Sequence, residues 1–348
     1  MENTRTTILT KIEREIKSVN SPNVIWIRGF TGVGKSALAA SIAIRLQEQH
    51  RHVIYFRFDR TQSTTITTKA LWCSVTCDLA RLYPSLREHL TQVSRKLISS
   101  NIDRLFKSLI KTPLSMLNNV PPEELPVIVI DALDECGGLR HDSSEKGDHS
   151  ALLRTLQHWV KVDYLKRFKL VITSRKENRI TKIFPEPISI HVNIPSGNDV
   201  KPGDSASEDI RIFLESHLEG MGLRVALIEK ALDCLVPHAA STFIWATIIA
   251  NFFELDPEGW FAMLEKDDGK GLKGLDSLYS LYSTIIKESF GHGLIEEETR
   301  AVMSVMNAMI FAKEPLDDKC AYHASQSQDS GFRCGQAGAY SKGTCACH

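Results

Sequence analysis

Residues 24–36 read Val-Ile-Trp-Ile-Arg-Gly29-Phe-Thr-Gly32-Val33-Gly34-Lys35-Ser36, an apolar β-branched and aromatic run that passes directly into Gly-x-x-x-x-Gly-Lys-Ser. The run suits a buried strand, and Ala37–Leu46, rich in Ala, Leu and Ile, suits a helix, so the chain is committed to strand, tight loop, helix. Glycines allow such a loop to fold tightly enough to aim its backbone N–H groups at phosphate oxygens. A lysine then reaches the β and γ oxygens, and a hydroxyl holds Mg²⁺. Gly29, Gly32, Val33, Gly34, Lys35, Ser36 and Ala37 are therefore the expected nucleotide-binding positions, with Ser36 also on the metal.

The remaining strands follow a parallel pattern. His52–Phe58 alternates into a second strand, and residues 68–118 read as a helical excursion with apolar spacing in Ala70–Leu82 and Leu105–Leu117. Pro126-Val-Ile-Val-Ile-Asp131 is a continuous apolar run ending in a carboxylate, as expected of a strand covered on both faces. A polar loop over Gly137–His149 should precede a helix near Ala151–Val160. Phe168–Thr173 and Ile188–Val192 complete the strands. Strands alternating with helices predict a three-layer α/β P-loop NTPase fold with a parallel sheet. The expected divisions are a lead-in helix over 1–22, the P-loop domain over 23–195, a helical lid over 205–270, a partial winged-helix region over 275–318, and a disordered Gly/Ser/Cys-rich tail over 319–348. Asn193–Ser207, rich in Pro, Gly, Ser and Asp, reads as the linker between strand and lid.

Composition narrows the partners. With 42 basic and 42 acidic residues, the charge balance gives no reason to expect nucleic acid. The first residues are a charged amphipathic stretch, and the most apolar segment, Ala239–Phe253, is shorter than the ~20 residues that cross a bilayer, so a cytoplasmic protein without membrane contact is expected. Cys73 and Cys77, four apart on a helix, lack a matching pair before the tail and read as buried helix-face thiols.

Asp131-Ala-Leu-Asp134-Glu135 closes the apolar strand. The first carboxylate is placed to hold the Mg²⁺ water shell opposite Ser36, and a second acid can polarise the water attacking the γ-phosphate. Asp134 and Glu135 are both candidates, and the spacing does not choose between them. Thr173-Ser174-Arg175 ends the next strand, where an arginine senses the γ-phosphate; the alternative is a surface arginine opening the basic run to Arg179. Arg57 and Arg60 are weaker candidates and read as structural or surface residues.

Thr4-Arg5, Gly29–Ser36, Tyr55-Phe-Arg-Phe-Asp59, Val127–Cys136, Val171–Arg175, Asp209-Ile210 and Phe243-Ile-Trp-Ala246 together resemble the NACHT domain proteins of filamentous and mushroom-forming fungi. These belong to the signal-transducing class of P-loop ATPases with numerous domains (STAND) and the NOD-like receptor group. The resemblance spans residues 4–316, and its sharpest element is Asp-Ala-Leu-Asp-Glu. It implies that Asp131 binds Mg²⁺, Asp134 and Glu135 serve hydrolysis, Arg175 is the sensor, and Arg5 lies near the nucleotide base. It also implies ATP or GTP as ligand, self-association, and a signalling partner in an innate-immunity or incompatibility-like pathway. After Glu314-Pro315-Leu316 the family would continue its winged helix where this chain enters the Cys/Gly tail, and Pro237 with Ala-Ser stands where a glycine pair is common. The rival readings are a binding module without hydrolysis, a mechanical P-loop ATPase and a P-loop kinase.

Overall fold

The computed structural model describes residues 4–62, 65–96, 101–136, 143–196, 205–221, 225–239 and 242–254. The expected winged-helix region over 275–318, the expected tail over 319–348 and the lid from 255 to 270 lie outside these residues.

Five strands form one sheet: β1 (Val24–Arg28), β2 (Val53–Arg57), β3 (Val127–Asp131), β4 (Leu170–Ser174) and β5 (Ser189–Asn193), in the order β2-β3-β4-β1-β5. Every pairing is parallel. Placing β4 between β1 and β3 brings the ends of the P-loop strand, the carboxylate strand and the strand ending in Arg175 together at one edge of the sheet. β2 has β3 as its neighbour and sits at the sheet's margin.

Alternation along the strands builds two cores. Val24, Trp26, Ile128, Ile130, Leu170 and Ile172 face one layer, formed by the helical excursion and α7 (Ser143–Lys161). Ile25, Ile27, Val127, Val129, Val171 and Val192 face the other, formed by α1 (Thr6–Lys17) and α2 (Lys35–Glu48). The fold is thus the three-layer α/β P-loop NTPase arrangement, with α8 (Asn178–Ile183) between β4 and β5, followed by α9 (Ser205–Gly220), α10 (Val225–Ala239) and α11 (Phe243–Phe253). All the described elements belong to one compact unit.

Several boundaries differ from the sequence expectation. The helix expected at Ala151 begins at Ser143, so most of the supposed loop is its first turns; Glu145 and Lys146 are good helix formers without an apolar signal. The excursion contains α3 (Thr68–Leu82), α4 (Pro84–Lys96), α5 (Ile102–Phe106), a π turn over Lys107–Lys111 and α6 (Thr112–Ser115). The π turn has a cause: Pro113 lacks the N–H that an α-helix would offer to the Leu109 carbonyl, and the nearest side-chain donor to that oxygen, the Thr76 hydroxyl at 3.3 Å, has its shorter bond to the Trp72 carbonyl at 2.6 Å. α10 carries Pro237 inside its last turn, and α11 opens at Phe243, four residues into the apolar segment Ala239–Phe253. Cys73 is half-buried and Cys77 exposed, so the expectation of two buried thiols is corrected: α3 turns Leu71, Trp72, Val75 and Leu79 to the core and leaves position 77 on its outer side. Among the described residues no cluster of three metal-ligating side chains occurs and no helix is long and apolar enough to cross a membrane.

Candidate functional site

The loop after β1 does what its glycines allow. Gly32 and Gly34 take φ of +78° and +88°, left-handed conformations that place them outside ordinary L-residue geometry. α2 starts on Gly34 with no side-chain cap, so its first N–H groups face the loop interior unanswered by a side chain. That is the donor set an anion fits. The Lys35 ammonium donates to the carbonyls of Gly29 at 3.0 Å and Phe30 at 2.7 Å. Burial holds its pKa below the ordinary 10.5, outweighing the nearby Asp134 carboxylate.

Asp131 is fully buried at the end of β3. Its Oδ1 accepts from the Ser36 hydroxyl at 3.1 Å and from the Thr173 hydroxyl, and its Oδ2 accepts from the Tyr55 phenol at 3.1 Å. The Arg57 Nε lies 3.8 Å from Oδ2, with most of its side chain in solvent. Burial first, and the Asp131 charge second, push the Tyr55 phenol up, so it stays a donor at any ordinary pH. A buried carboxylate hydrogen-bonded to a loop hydroxyl is a donor set that suits a hard divalent cation.

Ala132 then turns the chain. Its φ of 56° and ψ of 47° are left-handed, and its N–H donates to the Thr173 hydroxyl at 2.8 Å. The turn folds the short 3₁₀ segment Leu133–Glu135 back over the strand ends. Asp134 accepts at both oxygens from Arg175: the backbone N–H reaches Oδ1 at 3.0 Å and Nε lies 3.2 Å from Oδ2. The Arg60 N–H donates to Glu135 Oε2 at 3.2 Å, and its Nη2 to the Asp134 carbonyl at 3.2 Å. Arg60, read from sequence as structural or surface, therefore holds the loop carrying both acids.

The later helices close over this loop. The Ile244 N–H donates to the Gly32 carbonyl at 3.1 Å, and a Cβ on Gly32 would stand 2.3 Å from the Ile244 side chain. A cavity of about 450 Å³ lies between. Lys35, Ser36, Ala37, Gly32, Gly34, Asp134, Glu135 and Arg175 line it from the P-loop side, and Phe213, Phe243, Ile244 and Thr247 from α9 and α11. Its volume falls in the small-molecule range of roughly 300–1,000 Å³. A larger hollow of about 620 Å³, walled by Ser216, His217, Met221 and Glu254, offers no anion-binding turn.

Gly29, Val33, Asp131 and Arg5 are not on the cavity wall. Gly29 and Val33 shape the loop from behind, where a Cβ on Gly29 would meet Val33 at 2.9 Å. Arg5 is buried, its guanidinium 5.3 Å from the Phe243 ring centre and its Nε 3.5 Å from Asp209 Oδ2, while its N–H donates to Asp209 Oδ1 at 2.6 Å. Thus Arg5, Asp209 and Phe243, distant in sequence, meet at one corner of the lid. Sequence reasoning missed Tyr55, Phe213 and Thr247. For Tyr55 the period-two alternation toward Arg57, which pairs with Asp131, was the available signal.

Residues 3–175, a little under half of the chain, match the family model of the nephrocystin 3 N-terminal region. No curated protein matches. Among solved structures, the chain is similar to a Signal Transduction ATPase with Numerous Domains carrying a tetratricopeptide repeat sensor, from Pyrococcus horikoshii. There the identity is 17% and the TM-score 0.34, over 61% of this chain and 25% of that one. AMPPCP-bound DnaA from Aquifex aeolicus is similar at 14% identity and TM-score 0.38, over 93% of this chain and 87% of that one. Cdc6p from Pyrobaculum aerophilum is similar at 12% identity and TM-score 0.46, over 92% and 78%. The chain spans a quarter of the length of the first of these structures. By strand order, loop geometry and the carboxylate at the tip of β3, the described chain has the fold of a P-loop NTPase followed by a helical part.

Proposed function

We propose that this chain is a NACHT-type nucleotide switch of the STAND class, binding ATP or GTP with Mg²⁺ and hydrolysing it slowly. The observation that carries the reading is the bond from the Ile244 N–H to the Gly32 carbonyl, because it seats the lid on the phosphate loop itself. A ligand entering the cavity touches both parts at once, so its charge state biases how they pack. Gly32, Gly34, Lys35 and Ala37 bind phosphate through backbone N–H groups and the ammonium, with Gly29 and Val33 holding the loop's shape. Ser36 and Asp131 hold the cation, which when bound neutralises the β and γ oxygens. Glu135 or Asp134 orients water, and Arg175, now on Asp134, exchanges that carboxylate for the γ-phosphate. Arg5 supports the lid beside the base. In this reading 23–195 is the nucleotide domain, 205–270 the lid and 275–318 the opening of a winged helix. A cytoplasmic setting, self-association and a signalling partner, without nucleic acid or membrane, complete the proposal.

The test is nucleotide retention. The purified chain should carry a bound nucleotide that Lys35→Ala loses, because the motif has no second cation to replace the lysine. Glu135→Gln should keep the triphosphate uncleaved and shift the protein toward larger species on a sizing column. Unchanged affinity in Lys35→Ala would refute the reading. The pairing of Asp134 with Arg175 and of Glu135 with Arg60 favours a second reading, a binding module without hydrolysis, and parent-rate cleavage in both Glu135→Gln and Asp134→Asn would remove those acids from the chemistry.

A further inference from the structure

We propose that Tyr55 is a positioning residue for the cation: its phenol, bonded to Asp131 Oδ2, sets the plane in which Asp131 faces Ser36. The proposal deepens the functional reading and rests on Asp131 and Ser36 as the cation pair.

A carboxylate at the end of a strand is soft about its terminal torsion and takes its orientation from its hydrogen bonds. Asp131 is held from three elements. Ser36 on α2 and Thr173 on β4 both donate to Oδ1, and Tyr55 on β2 donates to Oδ2. With two donors on one oxygen, the carboxylate can still pivot about Oδ1, and the phenol is the hydroxyl that stops the pivot. Arg57 does not serve in its place: its Nε stands 3.8 Å from Oδ2, and the side chain is 60% exposed, where solvent screens the attraction. One phenol O–H occupies one of the two lone-pair positions of Oδ2 and leaves the other for the cation's shell. Tyr55 reaches Asp131 because β2 and β3 pair with Arg57 opposite Asp131, so position 55 lies two residues back on the same face. Its ring packs in the core layer beneath α2, so the side chain brings its own support.

Tyr55→Phe removes the hydroxyl and keeps the ring. The full chain and the variant are titrated with a fluorescent ATP analogue in EDTA and across a Mg²⁺ series, with unfolding followed in parallel. Expected are an affinity in EDTA within about two-fold of the parent and a rise of about ten-fold in the Mg²⁺ needed for half-maximal tightening, the scale of one hydrogen bond to a charged group. Arg57→Gln should leave that requirement within about two-fold. An unchanged Mg²⁺ requirement in Tyr55→Phe overturns the proposal, as does an equal loss with and without Mg²⁺, which marks a structural residue. A shift in Arg57→Gln as large as in Tyr55→Phe overturns it too. A parent that binds the nucleotide without Mg²⁺ dependence removes the cation pair itself, whereas a parent that binds no nucleotide refutes the functional reading beneath it.

Discussion

Replacing Asp209 with Ala isolates what fastens the lid to the start of the fold. Asp209 and Arg5 are both more than nine-tenths buried. Burial raises the Asp209 carboxyl and lowers the Arg5 guanidinium in pKa, so each charge is disfavoured by its surroundings more than its partner repays. Losing one member leaves the other charge buried alone, and breaking such pairs costs about 3–5 kcal/mol. Phe243 still faces the guanidinium at 5.3 Å, and a cation over a ring retains about 0.5–2 kcal/mol, which sets the expectation near the lower limit, about 3 kcal/mol. Arg5 Nη2 is already buried without a hydrogen-bond partner among the described residues, so no spare contact absorbs the loss. For a folding unit of this size, about 3 kcal/mol lowers Tm by roughly 6–12 °C. Calorimetry reads the shift, and hydrogen exchange should show lost protection in the first turn of α1 and in α9. The double variant Arg5→Met/Asp209→Leu should recover most of the loss, since an apolar pair of similar size costs nothing to desolvate. A Tm change under about 2 °C in Asp209→Ala, or a double variant as unstable as the single, refutes the argument.

Two further outcomes follow from the site. Ala132 sits at φ 56°, a conformation that costs a residue with a side chain roughly 1–2 kcal/mol and a β-branched one more. Ala132→Val should therefore unfold at lower urea than the parent while Ala132→Gly does not, and equal midpoints would show that the turn carries no strain. Because burial makes Lys35 give up its proton below the ordinary 10.5, phosphate affinity should fall with rising pH before that value is reached. Lys35→Arg should move the fall beyond the measurable range, and a parent profile that falls no earlier than the ordinary lysine value would refute the depressed ammonium.

What was legible in the sequence was local. The P-loop and the carboxylate strand were readable because glycine spacing and an unbroken apolar run each reflect conditions within a few residues. Helix boundaries were less so, since the sequence of the first turns of α7 carries no periodic apolar signal and a single proline, Pro113, re-registers the helix around it. The pairings that finish the site lie furthest from sequence reach: Ser36 and Asp131 are 95 residues apart, and Arg5 and Asp209 are 204. Composition and spacing do not encode which of many arginines meets which acid. The strand order decides it, and of the two readings left open for Arg60, structural or surface, it selects the structural one, on the acidic loop.

The marginal position of β2 has its own consequence. A strand with one neighbour opens locally at lower free energy than strands held on both sides, and Tyr55 rides on it while Asp131 rides on the fully buried β3. The phenol therefore leaves the carboxylate each time the margin frays, without the sheet unfolding. Warming should erode the order of the cation pocket well before the global transition, and amide exchange along Val53–Arg57 is the clock that reports it.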